Sequence, residues 1–278
     1  MPPIAGTAIA TAAAQPPATS PAAANTWTPS ARLRAHAYIE HAEGMLGEIR
    51  FRLVTRALTQ SLPDRPCRVA DIGGGFGRQA ALLAEAGHEV VVVDPDETLL
   101  RAARERIARL DPQVAARITL VEGSGERAAD LVGTDFDLVC CHSVLIYLAD
   151  PRPMLTELVR LTRPGGLISV LSLNRDALAM RDALQGDWRA ALATLTDGTE
   201  HGGRYLPTRA DDPVELSRSL AGLGAQARFW HGVRAFTDHR GDLSPEELDD
   251  ICELEWQAGR RDPYRAIARL FHLVAQRD

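Results

Sequence analysis

The run Arg68-Val69-Ala70-Asp71-Ile72-Gly73-Gly74-Gly75-Phe76-Gly77-Arg78 feeds an apolar strand into a helix through a turn built almost wholly of glycine. Glycine tolerates positive φ and lets a ligand approach the main chain, where a Cβ would block it, so the stretch reads as a nucleotide cradle. A second buried-strand pattern, Glu89-Val90-Val91-Val92-Val93-Asp94, ends in an acid about 20 residues beyond the first glycine, where a ribose-binding carboxylate belongs. Together the two loops imply one bound nucleoside.

Helices and strands alternate from there. Helical spacing covers Arg78 to Ala86, Asp96 to Leu110 and Met154 to Thr162, and strand patterns cover Ile118 to Glu122, Asp135 to Cys141 and Leu167 to Leu173. Further on come a helix from Pro213 to Leu223, strands at Ala227 to Trp230 and Phe271 to Ala275, and a helix from Ser244 to Trp256 opened by the capping box Ser244-Pro245-Glu246-Glu247. The rhythm predicts an α/β fold: a doubly wound, mostly parallel seven-stranded sheet, with ligands at the carboxyl ends of the strands. It is interrupted at about 174–213, a glycine-rich helical and loop insertion after strand five that could cover the substrate mouth. Before the first strand, residues 31–62 show a helical period through Met45, Leu46, Ile49, Leu53 and Leu58, and are expected to form a helix that packs on the sheet edge or lids the pocket. Residues 1–30, rich in Ala and Pro and without a charged side chain, are expected to be disordered. This leaves 63–278 as the main α/β domain.

Composition narrows the chemistry. All 31 basic residues are arginine, which excludes Schiff-base lysine chemistry, and the net charge of −6 argues against a DNA-binding surface. The apolar runs are strand-length, short of the roughly 20 residues a membrane helix needs, so a cytoplasmic protein is expected. Cys67, Cys140, Cys141 and Cys252 lack zinc or redox spacing, the first three read as buried thiols at inner strands, and no metal-binding cluster is evident.

The glycine loop separates two cofactor classes. The dinucleotide fingerprint places a third glycine five residues after the first, where a helix N-terminus meets a pyrophosphate; here Arg78 stands in that place. Glycines at Gly73, Gly75 and Gly77, with Asp71 two residues ahead, resemble the loop of class I S-adenosylmethionine-dependent methyltransferases, with their Rossmann-like methyltransferase fold. In that arrangement Asp71 would accept from the ammonium of the cofactor's amino-acid tail. Asp94-Pro95-Asp96 would hold ribose and adenine, and Gly123-Ser124-Gly125-Glu126 would close over the adenine edge.

Within that class the chain resembles the bacterial tRNA methyltransferases that esterify the carboxylate of a carboxymethoxyuridine at the wobble position. The matching motifs include Gly47-Glu48-Ile49-Arg50, the glycine loop, His142-Ser143-Val144-Leu145, Arg163-Pro164-Gly165-Gly166, Gly232-Val233-Arg234-Ala235-Phe236 and Asp262-Pro263-Tyr264. The resemblance implies S-adenosyl-L-methionine as cofactor, with contacts from Arg50, Gly73, Gly74, Asp94, Gly125, Glu126 and His142; Asp71, Gly75 and Pro95 join them from the loop reading. The methyl acceptor would be an oxygen, by the resemblance a carboxylate on tRNA; the alternative is a small-molecule O-, N- or C-methyltransferase. A carboxylate acceptor needs no base and would be held by an arginine, Arg234 first, with Arg204, Tyr205 and Tyr264 nearby. A phenol or alcohol would need a base, for which His142, His231 and His239 are the candidates. The insertion has no basic run, which favours a small-molecule acceptor, whereas the subgroup motifs favour tRNA. A silent cofactor-binding protein is the third possibility.

Overall fold

The computed structural model describes residues 32–197 and 209–278. The expected disordered leader and the stretch carrying Arg204 and Tyr205 lie outside the described residues. Seven strands, β1 (Arg68–Ile72), β2 (Glu89–Asp94), β3 (Ile118–Glu122), β4 (Phe136–His142), β5 (Thr162–Leu173), β6 (Ala225–Val233) and β7 (Leu270–Arg277), form one sheet in the order β3-β2-β1-β4-β5-β7-β6. The first five are mutually parallel, and β7 runs antiparallel between β5 and β6. Chain order reverses between β1 and β4, so a crevice opens at the carboxyl ends of these two strands, the usual ligand position in such sheets.

The helices are α1 (Arg32–Glu43), α2 (Met45–Ser61), α3 (Arg78–Glu85), α4 (Glu97–Ile107), α5 (Pro112–Ala115), α6 (Ala128–Val132), α7 (Arg152–Leu161), α8 (Leu178–Leu184), α9 (Trp188–Asp197), α10 (Pro213–Ala221) and α11 (Leu248–Ala258). Successive residues of a strand point to opposite faces, so each inner strand serves two cores. On one face Val69, Val90, Val92, Leu138 and Leu171 pack with Ile49, Leu53 and Leu58 of α2, Leu83 of α3 and Trp256 of α11. On the other, Ala70, Ile72, Val139, Ile168 and Phe271 pack with Leu155 and Leu158 of α7 and Leu216 and Leu220 of α10.

Several local expectations are revised. The helical period before β1 is broken at Gly44, whose extended φ/ψ separates α1 from α2. Strand β5 begins at Thr162, so the Arg-Pro-Gly-Gly run lies inside it, and β6 and β7 are longer than their apolar cores suggested. Ser244 Oγ accepts from the Glu246 N–H at 3.3 Å and opens a 3₁₀ turn, so the sequence read as a capping box caps that turn and α11 follows from Leu248. The insertion holds α8 and α9 and rejoins the sheet edge through a bridge between Asn174 and Asp211. No helix among the described residues is long and apolar enough to cross a membrane.

Candidate functional site

The glycine loop folds as its composition demands. Gly73, Gly75 and Gly77 have φ of 69°, 56° and 73°, left-handed values that cost any other residue about 1–2 kcal/mol. The Gly73 N–H donates to the Val93 carbonyl at 2.7 Å, which ties the loop to the end of β2. Gly74 has no such φ and is glycine for space: an added Cβ would lie 2.6 Å from Asp71 Oδ2 and 2.9 Å from Val92 Cγ1.

Beside this loop lies a cavity of about 240 Å³. Gly73, Gly75, Asp94, Pro95, Gly125, Glu126 and His142, expected at the cofactor, all line it. Asp94 is buried, its Oδ2 accepting from the Gly75 N–H and its Oδ1 from the Asp96 N–H, both at 2.9 Å. It therefore does not cap α4; Asp96 does, accepting from Thr98 and Leu99. Burial pushes the Asp94 carboxyl up to about 6, against the two N–H donors that hold it down. Asp71 is 1% exposed and lies behind the wall, under Gly74. Burial, then the charge of Asp94, raises its carboxyl to about 7, opposed by Arg50, and its Oδ2 has no partner within the protein.

Arg50 comes from α2 and also stands behind the wall, its Nη1 donating to Ser143 Oγ at 3.4 Å and its guanidinium lying over the Phe51 ring at 4.1 Å. Its Nε is buried without a partner. Ser143 follows β4 with a φ of 60°, a left-handed position held by a residue other than glycine, which costs about 1–3 kcal/mol and is typical of functional turns.

His142, the last residue of β4, is linked across the sheet. Its Nε2 lies 2.7 Å from Ser169 Oγ on β5, and the same hydroxyl lies 2.7 Å from His272 Nε2 on β7. A hydroxyl has one proton, so it donates to one imidazole and accepts from the other, which fixes complementary tautomers in the pair. Burial, then the neighbouring His272, drives the His142 pKa well below the usual range, and burial with His231 lowers His272 to about 3. Both rings are neutral at physiological pH.

The acceptor residues are dispersed. Arg234 is buried at the end of β6, also left-handed with φ 64°, and its Nη2 pairs with Asp238 Oδ1 at 2.9 Å; it lines a separate small cleft and not the cavity. Tyr264 is exposed and packs on Phe236 with ring centroids 5.6 Å apart, outside the cavity. Arg204 and Tyr205 fall outside the described residues. The cavity also draws on Ser124, from the run expected at the adenine edge, and on Tyr38 of α1, Leu99, Ser143, Val144, Tyr147, Leu148 and Met154, which were not singled out as cofactor contacts. Ser143 and Val144 could have been, because they continue the His142 motif; Tyr38 and Met154 carry no local signal.

The arrangement fits S-adenosylmethionine. A cavity walled by glycines suits close approach, an unpartnered Asp71 Oδ2 suits a cationic amine, an orphaned Arg50 Nε suits a carboxylate, and Asp94 at the end of β2 suits ribose hydroxyls.

Comparison with known proteins agrees. Residues 70–168 match the family model described as a methyltransferase domain. The tRNA 5-carboxymethoxyuridine methyltransferase of Escherichia coli (strain K12) is 28% identical over 224 residues, covering 80% of this chain and 84% of that protein. A ubiquinone biosynthesis O-methyltransferase of Methylococcus capsulatus is 33% identical over 166 residues, 60% of this chain and 66% of that protein. Among solved structures, a S-adenosylmethionine-dependent methyltransferase from Thermotoga maritima, a possible histamine N-methyltransferase, superposes with a TM-score of 0.56 at 14% identity, covering 90% of this chain and all of that one. A glycopeptide N-methyltransferase complexed with S-adenosyl-L-methionine gives 0.51 at 16% identity, covering 81% and 92%.

Proposed function

We propose that this chain, a class I S-adenosylmethionine-dependent methyltransferase, methylates an acceptor oxygen that arrives already anionic, the carboxylate of a modified wobble uridine in tRNA. The observation that carries this reading is the state of His142. It is the one imidazole lining the cavity among the described residues, its Nε2 is engaged by Ser169, and burial keeps its basicity low. Such a ring has little driving force to take a proton from a phenol or alcohol, since a general base works best with a pKa near the operating pH. A carboxylate has no proton to remove.

When bound, the cofactor supplies an electrophilic methyl group. Asp94 would accept from its ribose hydroxyls, while Asp71 and Arg50, buried just behind the wall, would balance the ammonium and the carboxylate of the methionine part, directly or through water. Pro95, Gly125 and Glu126 would border the adenine. The neutral His142, tied through Ser169 to His272, would line the cavity without adding charge to it. Glycines 73, 74 and 75 permit close approach, and Val144, Leu148 and Met154 exclude water. The protein's contribution is alignment in a dry pocket.

The subgroup motifs and the Escherichia coli relative, covered over 84% of its length, support the tRNA acceptor. A small-molecule acceptor is the second reading, supported by the ubiquinone biosynthesis O-methyltransferase relatives. Incubating the enzyme and labelled cofactor with bulk tRNA, beside a small-metabolite extract of the same cells, separates the two. The expected result is label in tRNA, in a nucleoside whose label is released by mild alkali as an ester would be; label confined to metabolites ends the tRNA reading.

A further inference from the structure

The insertion after β5 turns apolar side chains into water. Among the described residues the three most exposed large hydrophobic groups, Trp188 at 72%, Leu195 at 72% and Leu192 at 66%, all stand on α9. Leu184, the last residue of α8, is exposed as well. Positions 188, 192 and 195 are spaced by four and three, so they share one face of the helix. Ala191 and Thr194, on a neighbouring face, are buried, and α9 packs chiefly on α8. A surface helix of a soluble protein buries one apolar stripe and turns polar groups outward. The α9 helix already has its buried face, so the stripe of Trp188, Leu192 and Leu195 is a second one that its own chain leaves uncovered.

The stripe has the pattern of a helix–helix seam. Large apolar residues at alternating spacings of four and three form one side of a coiled coil, whose gaps a second helix fills. Residues 190–196 carry no charge, so a second α9 laid antiparallel on the first meets no like charge there. With a two-fold axis at Leu192, each Leu192 meets its own copy, and each Trp188 ring lies over the smaller Leu195 of the other chain. The same arrangement is complementary in charge. The helix has no basic side chain in its own last turn, where free carbonyls form a negative pole. Arg189, exposed beside Trp188 in the first turn, would be carried to that pole of the second copy.

The area suits a reversible dimer. With roughly 200 Å² for a large aromatic, the four exposed side chains leave on the order of 500 Å² open, a patch of the size that marks interaction sites. Two copies together would cover about 1,000 Å², the lower bound of specific interfaces, which corresponds to micromolar association. Other occupants fit less well. Arg181 and Arg189 are offset in the hairpin by Asp182 and Asp187, and the net charge is −6, so the basic rim of a membrane-surface helix is missing. A charge-free stripe likewise offers nothing to the phosphates of a nucleic acid.

We infer that α9 is a self-association seam, through which two copies of this chain form an antiparallel, two-fold symmetric dimer. The inference does not depend on the identity of the methyl acceptor. Pairing would brace the insertion, which is tied to the body through α8, where Gln185 Nε2 donates to the His239 carbonyl at 3.3 Å.

Sedimentation velocity of the full chain, from low micromolar to a few hundred micromolar, is the test. The expected result is a single reversible transition from monomer to dimer. Leu192→Glu and Leu192→Lys, at an exposed position, each set like charges against each other at the axis and should weaken the dimer at least about tenfold, leaving S-adenosylmethionine affinity within about twofold as the sign of an intact fold. Trp188→Ser, which adds no charge, should weaken it in the same direction. A one-to-one mixture of the two Leu192 variants pairs opposite charges and should associate at least about fivefold more tightly than either alone, because residue 192 faces itself only in a two-fold pairing. A chain that stays monomeric throughout, a dimer that these variants leave unchanged, or a mixture no tighter than its components overturns the seam. Binding of the monomer to phosphatidylcholine vesicles or to bulk tRNA that Leu192→Glu abolishes would assign the face to that partner and overturn it too.

Discussion

The two edges of the sheet handle buried charge in opposite ways. At the amino edge, Asp137 at the start of β4 is saturated: its Oδ1 accepts from Arg65 at 2.7 Å and Arg163 at 2.8 Å, and its Oδ2 from the Arg68 N–H at 2.9 Å. Burial works against its charge, yet these donors hold the carboxyl below the ordinary carboxylate range. Arg68 in turn donates to the carbonyls of Thr134 and Val132 and lies over the Phe136 ring at 4.0 Å. At the carboxyl edge, Asp71 and Asp94 are raised to about 7 and 6, and Arg50, Asp71, Asp96 and Arg234 each keep a buried polar atom without a partner. The first edge is a lock that finishes the fold. The second leaves groups unsatisfied that a cofactor and an acceptor would complete, which is how ligand sites differ from structural ion pairs.

Paired substitutions test the contrast most strongly. Asp137→Ala should lower stability in denaturant by about 2–3 kcal/mol, the loss of hydrogen bonds to a charged group, while leaving cofactor affinity unchanged. Asp94→Asn should do the reverse, weakening S-adenosylmethionine by about 1.5–3 kcal/mol with a smaller loss of stability at pH 8, since relief of a costly buried carboxylate offsets part of the one N–H bond that the amide cannot accept. Equal stability losses in the two variants would erase the distinction. A smaller effect, about 1–3 kcal/mol of overpacking, is expected for Gly74→Ala, whose methyl would press on Asp71 Oδ2; a variant with normal cofactor affinity and stability would show that the loop tolerates a side chain. Ser169→Ala should cost about 1–2 kcal/mol by stripping the shared hydroxyl from His142 and His272, without weakening the cofactor, as read by urea unfolding beside calorimetry. Smallest of all, Arg52 and Arg56 tie α2 to Asp249 and Glu253 of α11 at the exposed surface; replacing either with Ala should change stability by about 0.2–1 kcal/mol, a difference that 1 M salt removes.

What could be read in the sequence was what chain-local chemistry dictates. The glycine loop, Asp94 and the strand–helix alternation of an α/β sheet follow from turn geometry and period, so Gly73, Gly75, Asp94, Pro95, Gly125, Glu126 and His142 come together as expected. What sequence did not reveal depends on strands that meet only in the sheet. Ser169 and His272 are 27 and 103 positions from the groups they join, and neither carries a motif. Arg181 and Arg269 look like ordinary arginines in a chain whose 31 basic residues are all arginine, and only the fold brings them to Asp238. Tyr264 shows the converse: a motif singled it out for the acceptor, and the structure sets it against Phe236 at the surface, outside the lining of the cavity.

The central claim, that the carboxyl edge is left charged and unsatisfied for the cofactor, makes a definite statement about protons. A carboxyl whose folded pKa lies above its unfolded value binds its proton more tightly when folded, so its contribution to stability is full at low pH and is lost as pH rises; for Asp71 and Asp94 that window runs from about 4 to about 7. The groups of S-adenosylmethionine that face these carboxylates require them ionised, so binding should expel their protons. Calorimetric titration with S-adenosylmethionine from pH 5 to pH 8, in two buffers of different ionisation enthalpy, reads both effects. The account predicts affinity that strengthens through pH 6–7 and then levels, with proton release on binding at pH 6 that Asp94→Asn reduces. A constant affinity across that range, with no proton released, would contradict it.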